Sequence, residues 1–147
     1  MRTYLKRLGP THYRSAKDIF AIFYKEGMRD YDLSYYWRCR CVSESIGVFT
    51  REGDLLGFAL VMKKASTPGN LYLPFIAVHP DFKGLDLGSA MLKHILSRRL
   101  DARGAIHLVP LSSIRLRAWY ERHGFRFTTE LYMNFHSYGT RSRTLSM

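Results

Sequence analysis

The hydrophobic and polar positions follow two different periods along the chain, and this pattern predicts alternating strands and helices. Residues 2–8 are typical of a short strand that stops at Gly9-Pro10, after which Thr11 is expected to cap a helix reaching about Glu26. Apolar side chains recur three and four positions apart in this helix, at Tyr13, Ala16, Phe20, Phe23 and Tyr24. Such a helix packs one face against a flat surface.

The next segment, residues 30–44, is rich in aromatic side chains. Tyr31, Tyr35, Tyr36 and Trp37 fit a helix, and they also fit a loop that closes over a pocket. The residues of this segment are compatible with both interpretations.

A run of strands is predicted after this segment. Residues 45–51 and 54–64 are expected to form a hairpin around Glu52-Gly53, and the second strand is apolar on both faces, as a central strand should be. Residues 71–79 form the next strand. Pro74 inside it cannot donate to a sheet ladder, so pairing is expected to stop nearby.

The second half of the chain continues the alternation. A helix is predicted over residues 86–102, with its buried stripe at Leu87, Met91, Leu92, Ile95, Leu96 and Leu100. Residues 105–109 read as a strand, 113–123 as a helix capped by Ser113, and 126–136 as two short strands or one bent strand. Helices inserted between strands indicate an α/β or α+β fold with a mixed sheet.

Length and composition narrow the class of protein. The 147 residues suit a single domain over 1–147, with 139–147 as a flexible tail, and 46% hydrophobic residues exclude a wholly disordered chain. No signal peptide or apolar run of about 20 residues is evident, so we expect a cytoplasmic protein without a membrane partner. Cys39 and Cys41 have no further ligands nearby, so we expect reduced thiols and no metal.

The charge distribution favours an anionic ligand. Lys and Arg number 23 against 12 Asp and Glu, a formal net charge of +11. Residues 83–147 hold 11 of these basic residues and only 4 of the acidic ones. We therefore expect the anion to bind to the later part of the chain.

The segment 73–92 (LPFIAVHPDFKGLDLGSAML) is the best candidate for that site. A strand leads into a glycine-containing loop and then a helix, whose first N–H groups and dipole attract phosphate. The spacing matches neither a Walker A loop nor a dinucleotide fingerprint. The alternative is an ordinary tight turn, with Gly84 and Gly88 required by the backbone alone.

Two segments resemble the GNAT acetyltransferase superfamily. Residues 77–90 (AVHPDFKGLDLGSA) resemble its acetyl-coenzyme A loop, Arg/Gln-x-x-Gly-x-Gly/Ala after a strand, and residues 117–125 (RAWYERHGF) resemble its second signature. The resemblance implies a mixed, mostly antiparallel central sheet flanked by helices, with strands splayed at the acetyl-coenzyme A site. It implies acetyl-coenzyme A as acyl donor, no metal, and transfer to a primary amine.

The resemblance also assigns residues to the acyl donor. Main-chain groups of Ile76, Ala77 and Val78 would receive the pantetheine and thioester. Those of Lys83, Gly84, Leu85, Asp86, Leu87, Gly88 and Ser89 would receive the diphosphate. Ser113 and Arg117 complete the set. Arg117 is our choice for the adenosine 3′-phosphate among the late arginines, and a solvated surface role is its alternative.

Asp86 departs from the family pattern, which usually has glycine at this position. A carboxylate beside a diphosphate is repulsive, and a side chain there crowds the backbone. Alternatively, Asp86 points outward and caps the helix, which stabilises it by about 1 kcal/mol.

Tyr120 matches the family tyrosine that is proposed to protonate the departing sulfur, and a core role is its alternative. A phenol with a pKa of about 10 suits this acid role. At the positions where relatives often place a base, this chain has Tyr72 and Pro74, so His79 and His107 are the remaining candidates. A water chain, or an amine that arrives neutral, would also suffice.

The acceptor is less well defined. By resemblance, the aromatic residues of 30–44 border the acceptor cleft, and core packing is the alternative. The bulk positive charge disfavours polyamines and lysine-rich tails unless Asp30, Asp32 and Glu44 create a negative mouth. We expect an N-acetyltransferase acting on a small molecule or protein, as monomer or homodimer. The rivals are a GNAT-fold binding protein that has lost catalysis and, less favoured, a basic nucleic-acid-binding domain, for which no motif is present.

Overall fold

The helices and strands alternate in the predicted order. A computed structural model describes residues 2–25, 32–63, 69–99, 105–108, 114–127 and 133–136. The strands are β1 (Thr3–Arg7), β2 (Ile46–Thr50), β3 (Leu55–Lys63), β4 (Leu71–Val78), β5 (Ala105–Leu108), β6 (Arg126–Phe127) and β7 (Met133–His136). The helices are α1 (Tyr13–Lys25), α2 (Leu33–Arg38), α3 (Leu87–Arg99) and α4 (Ile114–Arg122), with 3-10 turns at Pro10–His12 and Pro80–Phe82.

The start of α1 differs from the prediction. Thr11 lies inside the first 3-10 turn and does not cap the helix, because Pro10 opens that turn with Gly9 as its N-cap residue. The Gly9 N–H donates to His12 Nδ1 at 2.9 Å, which fixes the turn before α1 begins. The predicted positions of Leu100, Ala102 and the tail 139–147 lie outside the described residues.

The described residues divide into two compact units. The first is Met1–Met62 with Phe75–Met91, and the second is Lys63–Pro74 with Leu92–Met147, so β4 contributes to both. Within the first unit, β1–β2 and β2–β3 pair antiparallel, with a bulge between Val48 and Phe49. Within the second, β4 and β5 pair in parallel, and β5–β7 and β7–β6 pair antiparallel. The sheet is therefore mixed and mostly antiparallel with flanking helices, which confirms the predicted fold class.

Pairing of β4 with β5 is short. The described register contains only Leu71 opposite Ile106 and Tyr72 opposite His107. Both pairs precede Pro74, where the boundary between the units falls. The residues that follow Leu108 lie outside the described ranges, so an end of pairing at the proline stays a prediction.

The core of the first unit is built from α1, α2 and the central strands. Its buried members include Ala16, Ile19, Phe20, Leu33, Trp37, Phe49, Phe58, Leu60 and Phe75. β3 is buried from Leu56 to Val61, as predicted for a central strand. Each large apolar side chain buried in this way contributes about 1.5–3 kcal/mol, so the two helices are held against the sheet by packing.

An arginine that sequence reasoning missed ties α2 to the segment after β1. Arg40 donates to the carbonyl of Trp37 at 2.8 Å and to that of Leu8 at 3.3 Å. Its guanidinium lies 4.5 Å from the centroid of the Trp37 ring. Burial lowers the pKa of Arg40, and its Nε has no acceptor among the described residues.

The second unit has its own buried residues. The predicted stripe of α3 contributes Leu92, Ile95 and Leu96, while its first members, Leu87 and Met91, are buried in the first unit. β5 contributes Ala105, Ile106 and Leu108, and the end of α4 contributes Tyr120 and Phe125.

Three features of the described ranges concern membranes, metal ions and thiol chemistry. None of the helices there has the length and apolar character needed to cross a membrane. No three His, Cys, Asp or Glu side chains in the same ranges gather as metal ligands. Cys39 and Cys41 are both free thiols, the former exposed and the latter half-buried.

Candidate functional site

Two hydrogen bonds of His79 hold the start of the loop that leaves β4. The His79 N–H donates to the Leu56 carbonyl at 2.8 Å, which holds the end of β4 beside the start of β3. His79 Nδ1 accepts the Asp81 N–H at 3.1 Å, and this bond caps the 3-10 turn that follows. The predicted anion loop therefore starts from a fixed point.

Hydrogen bonds also define the roles of the two candidate histidines, His79 and His107. Because His79 Nδ1 accepts an N–H, that nitrogen carries no proton in this arrangement. His107 Nε2 lies 3.2 Å from the Asn70 amide nitrogen, which makes this ring nitrogen an acceptor as well. Asn70 in turn accepts the Ala105 N–H at 2.9 Å. Both histidines are engaged in local structure.

Asp86 is in the left-handed backbone region, with φ of +56°. This is the conformation that glycine adopts most readily, and aspartate tolerates it better than most residues. The Asp86 carbonyl accepts the Ala90 N–H at 3.0 Å, so Asp86 is the residue from which α3 begins. Its exposed carboxylate accepts no hydrogen bond from the described residues, so the predicted side-chain cap is absent there. A capping side chain requires an extended backbone, which the positive φ excludes.

The backbone around Asp86 offers donors for an anion. The N–H groups of Leu87, Gly88 and Ser89, in the first turn of α3, have no carbonyl four residues earlier within the helix. Gly84 also has a positive φ, +85°, and a Cβ built there would meet nothing within 4 Å. Lys83 is exposed beside it. This donor set and open backbone fit a diphosphate.

Gly57 on β3 lets two strands approach closely where the thioester is expected. A Cβ added at Gly57 would lie 2.8 Å from the Ala77 carbonyl oxygen and 3.2 Å from Val78 Cα. Both obstacles are backbone atoms, so they cannot move aside by a rotamer change. Sequence reasoning missed Gly57, since a lone glycine inside a strand pattern does not identify its neighbour.

The second GNAT-like segment forms the end of α4. The Tyr120 carbonyl accepts the N–H groups of His123 and Phe125 at 3.0 and 3.2 Å, and Gly124 has a φ of +100°. A left-handed glycine is the common way to end a helix. Phe125 is completely buried and its ring centroid lies 5.5 Å from that of Tyr120, which is 7% exposed.

The predicted donor-site residues fall in both units. The first unit contains Ile76, Ala77 and Val78, all half-buried, and the loop and helix start from Lys83 to Ser89. The second unit contains Tyr120 and a half-buried Arg117 on α4. Ser113 lies outside the described residues.

The predicted aromatic cluster separates into core and surface members. Trp37 is 6% exposed and belongs to the core, Tyr36 is half-buried, and Tyr35 is 48% exposed. A short helix is therefore the correct interpretation of the described part of this segment, namely α2. Tyr31 and Asp30 lie outside the described residues.

Asp32 is the N-cap of α2. Its Oδ1 accepts the Ser34 hydroxyl at 2.7 Å and the N–H groups of Ser34 and Tyr35 at 3.0 and 3.3 Å. The Ser34 hydroxyl, followed by the Tyr35 N–H, holds the pKa of Asp32 below its ordinary value. This carboxylate is thus used by the helix start.

Comparison with known proteins decides the family. A sequence model described as Acetyltransferase (GNAT) domain matches residues 42–127, more than half of the chain. The chain belongs to the GNAT acetyltransferase family. The resemblance carried by the two motifs is thereby confirmed, and acetyl transfer is the chemistry of the family to which this GNAT protein belongs.

One curated relative and many solved structures are similar to this GNAT protein. The 5-NmdU N-acetyltransferase of Pseudomonas phage PaMx11 is 33% identical over 85 residues, which are 58% of this chain and 59% of that protein. The chain thus spans less than two thirds of that relative's length.

Two of the solved structures are an acetyltransferase of GNAT family from Staphylococcus aureus Mu50 and Arabidopsis thaliana Naa50 in complex with the bisubstrate analogue CoA-Ac-MVNAL. The first has a TM-score of 0.75 at 9% identity and covers 92% of this chain and 99% of its own. The second has a TM-score of 0.71 at 16% identity and covers 91% of this chain and 98% of its own. At these identities the likeness supports the fold.

Proposed function

We propose that this protein transfers the acetyl group of acetyl-coenzyme A directly to a primary amine of a small molecule or protein. The observation that carries the proposal is the start of α3, where Gly84 and Asp86 have positive φ and the first-turn N–H groups have no partner within the helix. Those N–H groups would hold the diphosphate. The strand that precedes the loop would hold the pantetheine and thioester through Ile76, Ala77 and Val78.

Bound acetyl-coenzyme A supplies an activated acyl group on a thiolate leaving group. The amine nitrogen forms the new C–N bond as the C–S bond breaks, and Tyr120 donates its hydroxyl proton to the departing sulfur. The proton released by the amine passes through water back to the phenolate. Since His79 and His107 are engaged in local hydrogen bonds, the amine is proposed to arrive neutral or to lose its proton to water.

The acceptor in the phage relative's name, 5-NmdU, is the first acceptor to test. The net charge of +11 disfavours a polycationic acceptor. A cytoplasmic location, a single domain and a monomeric or dimeric state remain predictions.

Thermal denaturation with and without acetyl-coenzyme A tests the donor site. A ligand that binds only the folded state at 100 times its Kd stabilises it by about 2.7 kcal/mol, so Tm should rise by several degrees. No shift at millimolar acetyl-coenzyme A would overturn the proposal. A shift without release of free thiol in the presence of amines would favour the rival binding protein, and salt-sensitive binding of DNA would favour the nucleic-acid interpretation.

A further inference from the structure

Tyr35 exposes its ring to solvent next to residues that are in the core. Its exposed fraction is 48%, while that of Trp37 on the same short helix is 6%. A single exposed aromatic side chain is common on protein surfaces, so exposure alone implies nothing. The way in which the ring is held is more informative.

Tyr35 is the outermost of three rings in series. Its centroid lies 5.3 Å from that of Tyr36 at an interplanar angle of 75°, and Tyr36 lies 5.6 Å from Phe75 at 78°. Phe75 is 3% exposed and makes a further edge contact with Phe20 at 5.2 Å. Edge-to-face contacts stabilise a pair of rings beyond the burial of their area, so the series holds the Tyr35 ring in place.

The backbone of Tyr35 is also fixed. Its N–H donates to Asp32 Oδ1 at 3.3 Å, in the cap that starts α2. A ring that is immobile before a ligand arrives loses little entropy on binding. Tyr35 is therefore preorganised to receive a flat ligand.

The ring series ends beside the proposed thioester strand. Phe75 directly precedes Ile76, Ala77 and Val78 on β4, and all of these residues belong to the same unit as Tyr35. The rings thus connect an exposed aromatic face with the strand to which the acetyl end is assigned.

We infer that Tyr35 is a specificity-determining residue that stacks on a planar ring of the acceptor. The acceptor class is accordingly a primary amine carried on a planar unsaturated ring, without further positive charge. Stacking on a ring face distinguishes such an amine from an aliphatic amine of equal size, which has no π-face. The inference rests on the proposed function and names the substrate class of that site.

A matched pair of amines tests it, namely benzylamine and cyclohexylmethylamine. Saturation-transfer NMR should show binding of the benzylamine ring protons to wild type and to Tyr35→Phe, and a loss of signal in Tyr35→Leu. In acetyl-transfer assays, wild type should prefer benzylamine in kcat/KM by about three- to tenfold, the range expected of one aromatic contact. The ratio should fall to about 1 in Tyr35→Leu and persist in Tyr35→Phe.

A control variant and an independent measurement distinguish failure of the inference about Tyr35 from failure of the proposed function. Tyr4→Leu removes another exposed tyrosine, 37% exposed on β1, and should leave both measurements unchanged. An undiminished NMR signal or an unchanged kcat/KM ratio in Tyr35→Leu would overturn the inference. If acetyl-coenzyme A fails to raise Tm, the proposed function is wrong, while the NMR contrast between wild type and Tyr35→Leu with benzylamine still decides the role of Tyr35.

Discussion

The Asp86 carbonyl accepts the Ala90 N–H at 3.0 Å, so α3 starts from a residue in the left-handed conformation. This geometry explains why the family pattern has glycine at this position. Asp86 meets the backbone demand because a short polar side chain tolerates positive φ. Unlike glycine, however, Asp86 places a carboxylate beside the proposed diphosphate site.

Substitutions at Asp86 separate charge from backbone strain. Asp86→Asn removes the charge and keeps a residue that tolerates positive φ, whereas Asp86→Gly removes both charge and strain. We expect both variants to bind acetyl-coenzyme A about fivefold more tightly, since a like charge near a surface opposes binding by about 1 kcal/mol. Calorimetry at low and high salt measures the effect, which should shrink as salt screens the charge. If Asp86→Gly alone binds acetyl-coenzyme A more tightly, the gain in affinity comes from relief of backbone strain and not from loss of the charge.

Gly57 should be intolerant of a methyl group, because its Cβ would meet the Ala77 carbonyl oxygen at 2.8 Å. Gly57→Ala must push β4 outward and is expected to weaken acetyl-coenzyme A binding by tenfold or more, measured by calorimetry. Gly47→Ala is the matched control in the neighbouring strand, where a Cβ would meet the flexible side-chain ends of Leu55 and Leu8. Equal losses of affinity in the two variants would contradict a specific effect on β4.

Tyr120→Phe should lower kcat by about a hundredfold with little change in acetyl-coenzyme A affinity, because the variant lacks the proposed proton donor. Phenylalanine preserves the ring contacts with Trp119 and Phe125, at 5.0 and 5.5 Å. Steady-state thiol release and calorimetry make the comparison. An unchanged kcat would remove the acid role and leave Tyr120 as a core residue.

The hydrophobic pattern predicted the elements well, because burial of one face specifies a surface helix or strand and burial of both faces specifies a central strand. β3 illustrates this, since its run of apolar residues predicted a central strand and all positions from Leu56 to Val61 are buried. The end of α4 after Tyr120 could also be predicted from the sequence, because the helix is ended by Gly124 and Phe125, which are neighbours in the chain. Local signals of this kind need no knowledge of distant partners.

Contacts between residues that are distant in the chain could not be predicted from the sequence. Gly57 matters through the carbonyl of Ala77, twenty positions away, and Arg40 matters through the carbonyl of Leu8. The division of the aromatic residues into a buried Trp37 and an exposed Tyr35 also depends on packing against α1, where the Trp37 ring contacts Tyr13 with the centroids 5.3 Å apart. Residue type and spacing alone do not encode these contacts.

Arg40→Met should destabilise the fold although it keeps most of the aliphatic stem. The variant leaves the carbonyls of Leu8 and Trp37 without their charged donor, and each such bond contributes about 1.5–3 kcal/mol. We expect the free energy of unfolding in urea to fall by about 2 kcal/mol or more. Arg51→Met, at an exposed turn position, should change it by less than about 0.5 kcal/mol. Equal effects of the two variants would show that the Arg40 bonds contribute nothing specific.

The Asp32 cap should make α2 sensitive to acid. Because hydrogen bonds from Ser34 and Tyr35 lower the pKa of Asp32 in the folded state, its contribution is present above the unfolded pKa of about 3.9 and is lost as pH falls through the lower folded pKa. Asp32→Asn keeps an oxygen acceptor that does not titrate. The difference in free energy of unfolding between wild type and Asp32→Asn should therefore shrink as pH falls below about 4. The remaining carboxylates titrate in both proteins and cancel, so a difference that stays constant down to pH of about 2 would contradict the role assigned to this carboxylate.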